Sequence, residues 1–161
     1  MGKGIILGID FSIDFTQMAV LDDEINPRSI SIGTEDNFLI PSVVCYNSEL
    51  NEWSAGDEAV NKSRLNNSTE YRKLPEILKQ NYGEDLTKQS YLLKVAVNYS
   101  NGKLIKNVLV TLNEVTPEMI ELITTAFTNL GYNANDIKII SHSESFVYYV
   151  LNQGKDIWIN Q

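Results

Sequence analysis

The first third of the chain has the hydrophobic pattern of short strands. Two almost continuous apolar runs, residues 4–10 and 16–21, flank a polar break at residues 12–14. Further short apolar runs follow at residues 29–32, 38–46 and 52–55. Short apolar runs bounded by polar or turn-forming residues are typical of strands. The pattern therefore predicts an antiparallel meander whose first two strands are joined by a tight loop.

The middle of the chain changes from a helical to an alternating pattern. Two short helices are predicted at residues 56–65 and 73–80, with a polar connection at residues 66–68. Residues 91–112 then alternate between apolar and polar side chains, apart from a break that contains Asn101 and Gly102. An Asn-Gly pair between alternating runs predicts a hairpin, because both residues tolerate positive φ.

The last third predicts a strand, a helix, a strand and a second helix, at residues 108–112, 117–130, 137–140 and 142–153. A strand, a crossover helix and a strand of these lengths form a right-handed parallel unit. The sheet is therefore predicted to be mixed, with antiparallel strands early and parallel strands late. Residues 156–161 resemble one more strand with nothing after it, and we interpret this ending as a truncation.

The longest predicted helix carries signals at both ends. Thr116 is a suitable N-cap residue, and Pro117 stands at the first helical position, where its missing N–H is no loss. Gly131 stands where a left-handed residue ends a helix. One predicted apolar stripe consists of Ile120, Ile123, Phe127 and Leu130.

Composition narrows the class of protein. A chain of 161 residues, 43% of them hydrophobic, predicts one domain spanning residues 1–161. A net charge of −8 argues against nucleic-acid binding, which requires a basic surface. Cys45 is the single cysteine, so an internal disulfide is excluded. The N-terminal residues lack a leader pattern and no run is long enough to span a membrane, so we expect a cytoplasmic protein without a membrane partner.

Residues 8–16 read GIDFSIDFT, with an acidic residue near the end of the first predicted strand. They resemble GIDLGTTNS, the first phosphate-binding hairpin of the nucleotide-binding domain of the seventy-kilodalton heat-shock chaperones, the DnaK type of actin-like ATPase. The later landmarks follow in the family's order: residues 40–44, IPSVV, residues 55–59, AGDEA, and the predicted unit from Val108 to His142. The landmarks span most of the chain.

This resemblance implies an α/β fold of the ribonuclease H-like, actin-like ATPase type, of which this chain is the first lobe, with an inserted subdomain expected at about residues 47–106. It also implies ATP or ADP as ligand, with Mg²⁺ held through water by Asp10. The backbone amides around Phe11, Ser12, Ile13, Asp14 and Phe15 correspond to the family's phosphate-binding turn, and Lys73 corresponds to its phosphate-contacting lysine.

The resemblance implies two further residues and further partners. His142 occupies the position of the family's water-orienting glutamate, and Glu144 follows two residues later. Ser141 and Glu144 also have the spacing of a helix-capping box, which we prefer as the interpretation of Glu144. The expected partners are the rest of the same protein, as a second lobe, and a client or assembly partner.

The hairpin departs from the family at three positions. Ser12 replaces a glycine, and Ile13 and Asp14 replace two threonines. A serine would be strained if that position required positive φ. The carboxylate of Asp14 would repel a phosphate unless a cation lay between them.

The resemblance and the departures from it leave three candidate functions. The first is an ATP-binding lobe that has ATPase activity only when a second lobe completes it, so this chain alone is expected to be inactive. The second is a non-catalytic scaffold module that has lost phosphate binding. The third is a ribonuclease H-like nuclease in which Asp10 and Asp14 bind two metal ions, and the acidic net charge disfavours it.

Overall fold

Two sheets, four α-helices and a short 3-10 helix (Ala134–Asp136) make up the described part of the protein. The computed structural model describes residues 4–21, 28–29, 38–80, 104–129 and 131–158. The strands are β1 (Ile5–Phe11), β2 (Phe15–Leu21), β3 (Arg28–Ser29), β4 (Ile40–Pro41), β5 (Val44–Asn47), β6 (Glu52–Ala55), β7 (Ser68–Tyr71), β8 (Ile105–Leu112) and β9 (Ile137–Ser141). The helices are α1 (Gly56–Lys62), α2 (Leu74–Gln80), α3 (Pro117–Thr128) and α4 (His142–Trp158).

The larger sheet is mixed, as predicted. Its described strands run in the order β3-β2-β1-β8-β9, and β4 also pairs with β2. β1 is antiparallel to β2 and parallel to β8, and β8 is parallel to β9. The β8-α3-β9 segment is the predicted strand, helix and strand. The carboxyl ends of β1, β8 and β9 therefore lie at the same edge of the sheet.

The two faces of β1 differ in burial because successive side chains of a strand point to opposite faces. Ile5, Leu7, Ile9 and Phe11 are buried in the main core. Ile6, Gly8 and Asp10 lie on the other face and are half-buried or exposed. Thus the strand has an apolar face toward the core and places Asp10 on the opposite side, next to its end.

Helix α3 covers the core face of the sheet. Thr116 caps it, since its side chain accepts a hydrogen bond from Met119 N, and Gly131 follows it with φ of 92°. Both predictions are confirmed. The buried residues of the helix are Met119, Leu122, Ile123, Ala126 and Phe127. The predicted stripe was wrong at Ile120, which is 42% exposed at the margin of the buried face, and Leu130 lies outside the described residues.

The smaller sheet contains β6, β5 and β7 in that order, all antiparallel. The predicted pairing of residues 52–55 with the preceding strand is confirmed. On one face Trp53 lies between Tyr46 and Tyr71, with ring centroids 4.9 and 5.8 Å away. Helix α1 contacts this sheet through β5 and β6. It begins at Gly56, whose φ is 61°, a value that glycine adopts without strain.

Several predicted boundaries were wrong. The run at residues 38–46 is not one strand but two, β4 and β5, because Val43 N donates to Pro41 O and turns the chain between them. Helix α1 ends at Lys62 rather than at residue 65, and β7 was missed. Residues 156–158 belong to α4 instead of a strand. The predicted hairpin around Asn101 lies outside the described residues, apart from β8.

Candidate functional site

Polar residues converge where the parallel strands end. Asp10 is the penultimate residue of β1 and is paired in register with Thr111 of β8. Asn113 follows β8, and His142 follows β9 as the first residue of α4. The turn between β1 and β2 lies at the same edge. In open α/β sheets, ligands bind outside the carboxyl ends of the strands, so this edge is the candidate site.

A cavity of about 480 Å³ opens at this edge. This volume is within the range of small-molecule sites. Its lining consists of Asp10, Ser12, Ile13, Asp14, Phe15, Gln17, Leu39, Asn113 and His142. The cavity thus brings together six of the nine residues that the sequence assigns to a nucleotide site.

The Asp10 side chain is held at the cavity by two hydrogen bonds. Its Oδ1 accepts hydrogen bonds from Ser12 Oγ at 3.0 Å and from Thr111 Oγ1 at 3.4 Å. The side chain is still 44% exposed. These two hydroxyl groups orient the carboxylate while leaving part of it open to the cavity.

His142 also contacts Asp10. Its Nε2 lies 2.7 Å from Asp10 Oδ1, although the angle of the contact is not that of a hydrogen bond, and Nε2 is shielded from solvent. The attraction is strong only when the imidazole carries a charge. The structure therefore places His142 beside the one carboxylate that the sequence assigns to the metal.

The turn between β1 and β2 is closed by its own backbone. Ser12 N donates to Phe15 O at 3.2 Å. The amides of Ile13 and Asp14 have no backbone acceptor among the described residues. Successive free amides in a turn can form an anion-binding surface, and the two free amides of this turn belong to Ile13 and Asp14.

Ser12 does not have the backbone conformation that would require glycine. Among described residues other than glycine, positive φ occurs at Asn51, Asn67 and Lys73. The predicted strain at Ser12 is therefore absent. Asp14 is exposed, so solvent weakens its repulsion of an anion without removing it.

Three of the predicted residues lie outside the cavity lining. The side chain of Phe11 is fully buried in the core, so only its backbone can take part. Glu144 is exposed, and its amide donates to Ser141 Oγ at 3.0 Å, which confirms Ser141 as the cap. Lys73 lies just before α2 and is exposed, with φ of 54°.

Four residues of this region were missed by sequence reasoning. Gln17, Leu39, Thr111 and Asn113 lie at the cavity or contact Asp10. Asn113 and Thr111 could have been found, because polar residues at the end of a predicted parallel strand are candidates for a ligand site. Gln17 and Leu39 carry no such signal, since their position depends on how β2 and β4 pair.

A second cavity of about 670 Å³ adjoins the first and shares Asp10, Gln17 and His142 with it. It lies between the open face of the large sheet and α4, where Ile6, Leu109, Phe146 and Tyr149 contribute apolar surface. Six consecutive apolar residues of α4, from Phe146 to Leu151, are between 47% and 66% exposed. No described helix has both the length and the apolar character needed to cross a membrane.

Two solved structures with the same fold, MamK and MreB 5, are actin-like ATPases. The chain matches a non-polymerising mutant of MamK bound to AMPPNP with a TM-score of 0.60 and 16% identity, over 88% of this chain and 42% of that one. It matches MreB 5 of Spiroplasma citri bound to AMPPNP with a TM-score of 0.58 and 16% identity, over 86% of this chain and 38% of that one. The chain thus spans less than half the length of either structure, and it has the fold of their first lobe.

Comparison with protein families gives a second, independent result. A search of curated proteins finds no match. The model described as "Family of unknown function (DUF5716) C-terminal" matches residues 26–161, which is most of the chain. This chain, with its actin-like fold and its cavity at the ends of β1, β8 and β9, belongs to the DUF5716 family.

Proposed function

We propose that this chain is the first-lobe half of an ATP-binding site, and that its hairpin binds the phosphates of ATP or ADP. The observation that carries the proposal is the cavity where Asp10, the Ile13–Asp14 amides and the start of α4 meet. Free amides and the N-terminus of a helix both favour an anion. MamK and MreB 5, which share this fold, are both described as bound to AMPPNP.

Asp10 suits a hydrated magnesium ion rather than a directly coordinated one. The described residues contain no group of three or more His, Cys, Asp or Glu side chains that could hold a metal ion. Mg²⁺ commonly keeps several waters and binds through one or two carboxylates and the phosphates of the substrate. Asp10, partly exposed at the cavity, meets that requirement. The same observation disfavours a two-metal nuclease that uses Asp10 and Asp14.

The other assigned residues take different parts in this proposal. Lys73 would contact phosphate, and its left-handed backbone supports a functional position because strained residues concentrate at such sites. His142 lines the cavity and would contact the water used in hydrolysis. The amide of Glu144 donates to the Ser141 cap and its side chain is exposed, so Glu144 has no part in the site that we propose. The sequence resemblance alone supports chaperone activity, and the sequence pattern alone supports a cytoplasmic location.

The exposed apolar surface of α4 supports completion by a second lobe. A helix that is apolar around its circumference is normally buried, yet Phe146, Tyr149 and Val150 are all exposed. The open cavity between this helix and the sheet has apolar walls on both sides. We infer that further chain of the same protein covers this surface. We also infer an inserted subdomain at about residues 47–106, which would contain β6, α1, β7 and α2 and pair with β5 at its start.

Titration calorimetry with MgAMPPNP tests the proposal. We expect the 161-residue chain alone to bind in the millimolar range or more weakly, and a protein that includes the second lobe to bind about a hundredfold more tightly, because a ligand enclosed on both sides loses more contact with water. Absence of binding heat with any nucleotide in the two-lobed protein would contradict the proposed function.

A non-catalytic scaffold is the second candidate function, and two features of the cavity favour it. His142 lies against Asp10, and Asp14 adds a negative charge beside the turn. Both features oppose the binding of a magnesium nucleotide.

Asp14→Asn separates the two candidates. If the turn binds phosphate, removing this charge should tighten nucleotide binding about tenfold, since a like charge at 4 Å costs about 1 kcal/mol even in water and a polyphosphate carries several. Ser12→Gly should give no gain, because Ser12 is not in the positive-φ region. Asp57→Asn, an exposed carboxylate in the first turn of α1, is the control for net charge. Equal affinities for Asp14→Asn and Asp57→Asn, measured with a fluorescent ATP analogue, would favour the scaffold.

A further inference from the structure

Ser42 is fully buried beside the β1–β2 turn and bonds to it in two ways. Its amide donates to Asp14 O at 2.9 Å, and its hydroxyl donates to Ser12 O at 2.8 Å. The two carbonyl groups flank Ile13, so Ser42 holds both sides of the turn. Its hydroxyl also lies 3.0 Å from the hydroxyl of Thr16, the second residue of β2.

The same residue contacts the segment that leads into α2. Ser42 O accepts a long hydrogen bond of 3.4 Å from Leu74 N, and Leu74 follows Lys73 directly. Lys73 has φ of 54°, a left-handed backbone conformation that is unfavourable for a residue with a side chain. Such a conformation persists where the surrounding structure fixes it. Ser42 is thus bonded to the turn and to the residue next to Lys73.

Few side chains could replace that of Ser42 at this position. The site is closed to solvent and needs a side chain small enough to fit, with a hydroxyl that can donate to Ser12 O while it contacts Thr16. An alanine would leave Ser12 O without this donor in a part-buried place, and an unsatisfied polar group there is destabilising. Neither the sequence resemblance nor the cavity lining assigns a role to Ser42.

We propose that Ser42 is a positioning residue for the phosphate site, which fixes the turn that presents the Ile13 and Asp14 amides and aligns the segment carrying Lys73 with it. This inference rests on the proposed function. Ser42 does not line the cavity, and it acts through the residues that do.

Hydrogen exchange measured by mass spectrometry tests the proposal on the 161-residue chain. In the peptide that covers residues 12–15, Ser42→Ala should make the Ser12 amide, which closes the turn by bonding to Phe15 O, exchange about tenfold faster, in line with the loss of one to two hydrogen bonds. Ser54→Ala is the matched control, because Ser54 is also a buried serine whose hydroxyl bonds to a backbone carbonyl, that of Cys45, but in the smaller sheet. Ser54→Ala should leave the exchange of residues 12–15 unchanged.

Two further measurements distinguish a positioning role of Ser42 from a general loss of stability. Ser42→Cys retains a small side chain with a weak donor, so it should restore part of the slow exchange. Thermal unfolding of every variant measures the loss of stability of the whole fold. Exchange of residues 12–15 is then repeated with millimolar MgAMPPNP, which should protect the turn in the wild type and much less in Ser42→Ala.

The outcomes are distinct. Faster exchange confined to the turn, with partial rescue by cysteine, supports the positioning role. Equal effects of Ser42→Ala and Ser54→Ala on residues 12–15 overturn it. If AMPPNP protects nothing in the wild type or in the two-lobed protein, the proposed function fails, and the exchange without nucleotide still decides whether Ser42 holds the turn.

Discussion

Phe127→Ala is expected to lower the free energy of unfolding by about 3–5 kcal/mol, the usual cost of deleting a buried aromatic side chain. Phe127 is fully buried on α3, and its ring packs edge-on against Tyr132 with centroids 5.8 Å apart. It belongs to the same core cluster as Leu7 and Val110, on the central strands β1 and β8. The truncation leaves a cavity between helix and sheet. Urea unfolding followed by circular dichroism measures the loss.

Ile120→Ala is the matched control for this prediction. Ile120 lies on the same helix and is 42% exposed, so its truncation should cost well under half as much as that of Phe127. The comparison also tests the corrected position of the apolar face of α3. Similar losses for the two variants would show that the helix is rotated relative to the arrangement described above.

The sequence was most informative where local signals and packing agree. The N-cap at Thr116, the left-handed Gly131 and the mixed sheet are all confirmed. Each depends on short-range chemistry or on the lengths of the connecting segments. Ile120 shows the limit, because residues at the margin of an apolar stripe fit the helical period as well as those at its centre.

Other elements could not be predicted because distant contacts decide them. The run at residues 38–46 is apolar apart from Pro41 and Ser42, and its pattern does not reveal that Ser42 N bonds to Asp14 O, which continues the pairing of β4 with β2 before the chain turns into β5. β7 begins directly after Asn66 and Asn67, which are typical of turns, and it forms by pairing with β5 across more than 20 residues of chain. The helical state of residues 156–158 continues α4 beyond a glycine that weakens the helical pattern.

Part of the candidate site could likewise be predicted from the sequence, and part could not. Asp10 and the β1–β2 turn could be predicted from the strand pattern and the resemblance, and the structure places them together at one cavity. The contact of His142 with Asp10 could not, because it joins residues 132 positions apart through the pairing of β1, β8 and β9. Ser42 was visible only as part of a family landmark. Its bonds to the turn depend on the tertiary fold.

Asp10→Asn is expected to weaken binding of MgAMPPNP by about 10–100-fold in the two-lobed protein. This is the usual loss when a group that orients a metal's ligands is removed, and Asp10 is proposed to act on Mg²⁺ through water. The asparagine keeps an oxygen that can accept from Ser12 and Thr111, so the edge of the sheet should stay intact. Competition against a fluorescent ATP analogue, with and without a chelator of Mg²⁺, measures the change, and the loss should nearly vanish when the metal is removed.

The sign of this effect distinguishes a metal role from general electrostatics. Asp10→Asn and Asp14→Asn change the net charge equally and lie at the same cavity, yet the first should weaken nucleotide binding and the second should tighten it. Asp136→Asn, before the start of β9 at the opposite edge of the sheet, controls for the charge change alone and should leave the affinity unchanged. If Asp10→Asn tightened binding as Asp14→Asn does, both carboxylates would act only by repelling phosphate. The proposed magnesium role of Asp10 would then be wrong.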